Sequence, residues 1–195
     1  TAKFITLDGK ERKLRDDILM ICDAEKPVAL AGIMGGENSE ISDSTTNIFI
    51  ESAYFDPVLT RLSSKFLGLQ SDSSYRFERG VDIEITKWAC KRAANLIAEL
   101  GEGEIAEGFV DVYPQKLEPL NVKMRSSHLN RIAGIEYSID DAAKLLGKIG
   151  IRKLEGDSSA ALFEIPQARR EDLQREIDLV EEVIRLDGYE KITVP

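Results

Sequence analysis

The chain has 195 residues, 43% of them apolar and 31% charged, and a formal net charge of −9. Such a composition fits one folded domain or two small ones, and the acidic balance argues against a general nucleic-acid binder, whose affinity rests on Lys and Arg neutralising phosphates. No apolar run approaches the ~20 residues that a membrane-spanning helix needs and no signal peptide opens the sequence, so a cytoplasmic protein without a membrane partner is expected.

The first stretch, "KFITLDGKERKL", has a turn at Asp8-Gly9 between alternating segments and predicts a β-hairpin. Two further strands are expected in "ILMICDAEKPVALAGIMGG", joined by a polar turn. There the apolar run from Val28 breaks into Gly32 and then Gly35-Gly36. Glycines let backbone approach closely or take positive φ. The spacing matches neither a Walker loop nor G-x-G-x-x-G, so a tight strand-turn is expected rather than a phosphate cradle. "NIFIESAYF" alternates and reads as a strand that carries Glu51 near its end.

Asp56-Pro57 then opens a helix, as N-cap and first helical residue, with Gly68 as the stop. "TKWACKRAANLIAEL" predicts a helix with Trp88, Ala89, Ala93, Leu96, Ile97 and Leu100 on its apolar side and Gly101 as its end. A short strand is expected over Phe109–Val112. Two prolines in polar sequence follow, which place a domain boundary near Lys116–Glu118 and divide the chain into 1–117 and 118–195. In the second part a helix is expected over Ser126–Ala133, and another capped by Ser138 with Asp141 at its third position. A hairpin turning near Gly156-Asp157 and a last helix over Glu171–Asp187 complete it. Helix, helix, hairpin, helix is compatible with a winged-helix-like module, and the fold class expected for the whole chain is α+β.

Cys22 and Cys90 are far apart with no C-x-x-C, which speaks against a disulfide framework or a zinc site. His128 is the one histidine, so any Ser-His or Cys-His mechanism must run through it. Its place in "MRSSHLNRIAG" favours a surface or cap-proximal residue.

Three stretches, in this order, carry a family resemblance: "ALAGIMGGENSEISDSTTNIFIESAYFDP", "LQSDSSYRFERGVD" and "REIDLVEEVIRLDGYEKI". Together they resemble the β subunit of bacterial phenylalanyl-tRNA synthetases, over essentially the whole chain. The resemblance implies most of an editing domain with its N-terminal part missing, followed by the small winged-helix-like domain. It implies an editing pocket that hydrolyses tyrosine misattached to phenylalanine tRNA, lined by Ala31, Gly32 and Glu51, with Ser71 and Ser73 on the opposite wall. Ser71 stands where the family often has Thr, and Ser73 where it commonly has Ala. A histidine used by the family's editing site belongs to a segment upstream of this chain's first residue. Arg76 and Arg79 have Glu78, Asp82 or tRNA phosphate as candidate partners.

The resemblance also assigns Asp172, Asp178, Glu181 and Glu182, spaced D-x5-D-x2-E-E, to magnesium shared with a synthetase α subunit. Hard oxygen donors suit that ion. On pattern alone these carboxylates read equally as a solvated acidic face. The parent reaction joins phenylalanine to its tRNA with ATP and magnesium, in an assembly of two α and two β subunits, and nothing in this chain resembles an ATP-binding core. The rival expectation is a noncatalytic module for subunit packing or nucleic-acid contact.

Overall fold

The computed structural model describes residues 2–192. It is α+β and divides into two compact units, the first ending at Val110 and the second starting at Asp111.

The first unit opens with the antiparallel hairpin β1 (Lys3–Ile5) and β2 (Glu11–Lys13). A small antiparallel sheet follows, in the order β3 (Met20–Cys22), β4 (Pro27–Leu30), β5 (Met34–Gly35). Phe4, Ile18, Leu30, Ile33 and Leu69 form its small core. The glycine pair at the end of β5 is explained by packing. A Cβ on Gly36 would run into the Phe4 ring and the Val28 carbonyl, and one on Gly35 would lie 3.1 Å from Leu7. Helix α1 (Pro57–Leu67) starts at Asp56, whose carboxylate accepts from the Leu59 N–H, and stops at Gly68 in the left-handed region. Then come the short α2 (Asp72–Phe77) and the long α3 (Thr86–Leu100).

Three expectations for this unit and the segment that leaves it are corrected. "NIFIESAYF" is not a strand, and Phe49 is 92% exposed. Alternation makes a strand only where a neighbouring edge takes its backbone hydrogen bonds, and among the described residues none pairs with it. Phe109–Val112 is irregular for the same reason. Helix α3 forms as expected, but no residue of it is buried; Trp88 is 63% and Leu100 83% exposed.

The second unit is better packed. Its three-stranded antiparallel sheet runs β6 (Leu120–Arg125), β8 (Ala160–Ile165), β7 (Arg152–Gly156). Helices α4 (Ser126–Ala133), α5 (Ile139–Gly147) and α6 (Glu176–Asp187) close it. Met124, Leu129, Leu146, Phe163, Leu179 and Val183 are fully buried between sheet and helices. At about 1.5–3 kcal/mol for each large apolar side chain removed from water, this core dominates the unit's stability. Strand β6 was not expected, and the unit is therefore strand, helix, helix, hairpin, helix. The last helix starts at Glu176 rather than Glu171, because Asp178 reaches back to the Gln174 and Arg175 N–H groups and caps it there.

Candidate functional site

The apolar run from Val28 ends in a reversal. Beyond β4 the chain folds back on itself, and the Ile33 N–H donates to the Leu30 carbonyl at 3.0 Å. Gly32 has φ +67°, a conformation that costs an L side chain about 1–2 kcal/mol. A Cβ there would also stand 2.8 Å from the Phe55 ring and 3.4 Å from Phe77. The two rings meet edge-on with centroids 4.9 Å apart. Glycine is thus needed twice, for its backbone angle and for the ring above it.

Helix α2 is fastened to this turn by its first residues. Ser71 and Ser74 form a reciprocal capping box, with Ser71 Oγ accepting from the Ser74 N–H and Ser74 Oγ accepting from the Ser71 N–H. The Ser71 hydroxyl donates to the Ile33 carbonyl at 2.5 Å, and the Ser73 hydroxyl donates to the Gly32 carbonyl at 3.0 Å. Ala31, Gly32, Ser71 and Ser73 therefore come together from two segments 38 to 41 residues apart in the chain. Both serine hydroxyls spend their protons on backbone, so they set the position of the Gly32 peptide.

Glu51 reaches this group less directly. Its segment is held to the start of α3, where Ser52 Oγ donates to the Thr86 carbonyl at 2.8 Å and the Cys90 thiol to the Ile50 carbonyl at 3.8 Å. Four residues on, Phe55 lies over Gly32. Among the described residues no hydrogen bond or ion pair engages Glu51, and none links it to Gly32, Ser71 or Ser73. Desolvation pushes its carboxyl above the usual carboxylate range. Phe55 and Phe77 were missed by the sequence reading; the available signal was an aromatic residue directly before the N-cap Asp56.

Of the two arginines singled out, Arg79 donates to Glu78 and to the Tyr75 carbonyl and stacks over the Tyr75 ring at 3.6 Å. Arg76 is exposed and unpaired among the described residues. In the second unit His128 is half-buried and lies 3.4 Å from Arg131.

The four acidic residues assigned to magnesium do not converge. Arg169 bridges Asp172 at 2.7 Å and Glu182 at 3.1 Å, and Arg185 takes the other Glu182 oxygen at 2.6 Å. Glu182 is only 6% exposed. The hydrogen bond from Arg185, with Arg169 behind it, holds this carboxyl below its usual range against the opposing effect of burial. Burial also works against ionisation of Asp178, but the Arg175 guanidinium and two N–H groups win and lower its pKa. Glu181 points to solvent. Among the described residues no group of three or more His, Cys, Asp or Glu is arranged to hold a metal ion. In this arrangement arginine guanidinium groups, rather than a metal ion, balance three of the four carboxylates, Asp172, Asp178 and Glu182, so these three do not present a free ligand set for magnesium.

An α+β unit built around a glycine turn clamped by a serine-capped helix, joined to a strand-led helical unit, defines the class of architecture. The chain belongs to the B3/4 domain family, whose model matches residues 1–102, and a tRNA synthetase B5 domain matches residues 122–189. The chain is 50% identical over 192 residues to the phenylalanine–tRNA ligase β subunit of Salinibacter ruber and 49% identical over 192 residues to that of Geobacter metallireducens. The Moorella thermoacetica β subunit is 44% identical over 192 residues. Each match takes in 98% of this chain but only 23–24% of the relative, so the chain spans about a quarter of the length of these relatives. No helix among the described residues is long and apolar enough to cross a membrane.

Proposed function

We propose that this chain is the part of a phenylalanine–tRNA ligase β subunit that hydrolyses tyrosine misattached to phenylalanine tRNA. The observation that carries this reading is the Ala31–Gly32 turn, held by the Ser71 and Ser73 hydroxyls and packed under the Phe55 ring, in a unit where the exposed Glu51 carboxylate makes no hydrogen bond or ion pair among the described residues. Close backbone and aromatic rings suit a phenolic side chain. A carboxylate with no partner of its own suits its para-hydroxyl, because phenylalanine would leave that polar group unpaired. Sites that read a hydroxyl in this way reject the analogue lacking it by ~10⁴–10⁵-fold.

In the reaction, water adds to the aminoacyl carbonyl and the ester C–O bond to the terminal ribose breaks, releasing tyrosine and intact tRNA. Ala31 and Gly32 shape the pocket, Glu51 orients the ring, and Ser71 and Ser73 fix the wall. With no histidine in this unit, positioning of the water and ester carries much of the rate. ATP and magnesium belong to the joining reaction of the complete cytoplasmic ligase with its α subunit, and no step of the hydrolysis runs through them. A second reading, a noncatalytic packing module, rests on the exposed Trp88 and Leu100 of α3. Ser73→Trp, made in the complete ligase, separates the two. It should abolish tyrosyl-ester hydrolysis while moving the thermal midpoint little, since Ser73 is exposed. Undiminished hydrolysis would favour the packing module.

A further inference from the structure

A cleft of about 420 Å³ lies between the second half of α1, the loop that follows it and the C-terminal end of α2, lined by Arg61, Ser64, Lys65, Gly68, Leu69, Gln70 and Glu78. Arg61 and Lys65 stand four residues apart on α1, so their side chains share one face. Both are exposed, and among the described residues neither has an ion pair or hydrogen bond from its side chain. Most arginines of the second unit, by contrast, are tied to carboxylates. The one acid in the cleft, Glu78, is already engaged by Arg79. The Ser64 hydroxyl is spent on the Leu69 carbonyl, which fixes the cleft wall.

We infer that this cleft is a phosphate site for the single-stranded 3′ end of the tRNA, with Arg61 and Lys65 neutralising successive phosphates as the terminal ester enters the turn at Gly32. The inference rests on the proposed function above and adds its anchoring residues. Three observations favour nucleic acid over an acidic peptide. The cations repeat along a helix face at the spacing of a backbone rather than converging on one carboxylate. The cleft runs into Gln70, the residue directly before the Ser71 clamp. In a chain of net charge −9, two neighbouring cations on one helix face with no acid partner among the described residues give a polyanion a local point of approach.

The test uses the complete ligase, phenylalanine tRNA and its tyrosyl ester. Each phosphate contact on a single strand contributes about 0.7 to the slope of log affinity against log salt. Arg61→Gln with Lys65→Gln should therefore flatten the salt dependence of kcat/KM for tyrosyl-ester hydrolysis by about 1.4. KM should rise and kcat should change less. Arg61→Lys should retain the wild-type slope, and Lys26→Gln, on the exposed turn between β3 and β4, should leave it unchanged. In parallel, the wild type should protect the 3′-terminal nucleotides from hydroxyl-radical cleavage, and the double variant should lose that protection. Equal slopes and equal protection in wild type and double variant would overturn the phosphate site. If the wild type hydrolyses no tyrosyl ester, the proposed function fails, and the protection pattern still decides the cleft by itself.

Discussion

Gly32 and Glu51 show how single residues divide the work at the turn. Gly32→Ala places a methyl group against Phe55 at a backbone angle that L residues avoid, so it should destabilise the chain by about 1–3 kcal/mol. Urea unfolding measures this, and a loss below about half a kcal/mol would mean that the ring swings away freely. Glu51 is the opposite case, a residue the fold tolerates without using. Its carboxyl is raised by desolvation, so ionisation is disfavoured in the folded state. The stability this group contributes is present below the unfolded carboxylate pKa and is lost as pH rises through the raised folded value. Glu51→Gln should accordingly leave the midpoint unchanged near pH 4 and hold or raise it at pH 7. A midpoint lowered at pH 7 would reveal a stabilising partner for the carboxylate and remove its claim to a free ligand-reading role.

At the scale of elements, α6 is the informative case. Glu182→Gln removes the negative charge shared by Arg169 and Arg185 and turns one of its two acceptor oxygens into an NH2 donor in a nearly buried position, at an expected cost of about 1–3 kcal/mol. Because Glu182, Asp178 and Glu176 all have lowered pKa values, their stabilisation is complete above the unfolded carboxylate range and is lost as pH falls through the folded values. Thermal melts of the second unit should weaken below about pH 4.5, and the decline should be shallower in Glu182→Gln. Magnesium should leave the wild-type midpoint unchanged; a rise on adding it, abolished in Glu182→Gln, would restore the carboxylates to a metal.

The same helix shows what the sequence could reveal. Caps were legible, because Asp56, Ser138 and the glycine stops act within one turn of chain, and α1, α4 and α5 form where those signals place them. Strands were not legible from alternation alone. "LNVKMR" and "NIFIESAYF" alternate equally well, yet only the first pairs, residue for residue, with β8. The deciding information sits about 40 residues away. For the site, glycine spacing pointed to the turn at Gly32, but the Phe55 ring above it and the serine hydroxyls beneath it are tertiary facts. The acidic spacing in α6 was legible as well, and so were the arginines three residues from Asp172 and Glu182, but the reach of Arg169 across thirteen residues to Glu182 is a tertiary fact.

For the whole molecule, a chain that spans a quarter of its relatives is best tested inside the complete enzyme, where the ester, its tRNA and the partner subunit are all present. The direct measurement is the ratio of deacylation rates for tyrosyl and phenylalanyl esters of phenylalanine tRNA, in wild type and in Glu51→Ala. The wild type should strongly prefer the tyrosyl ester, and the variant should lose at least tenfold of that preference while still charging tRNA with phenylalanine. An unchanged ratio in Glu51→Ala would contradict the reading of Glu51 as the group that recognises the tyrosine hydroxyl.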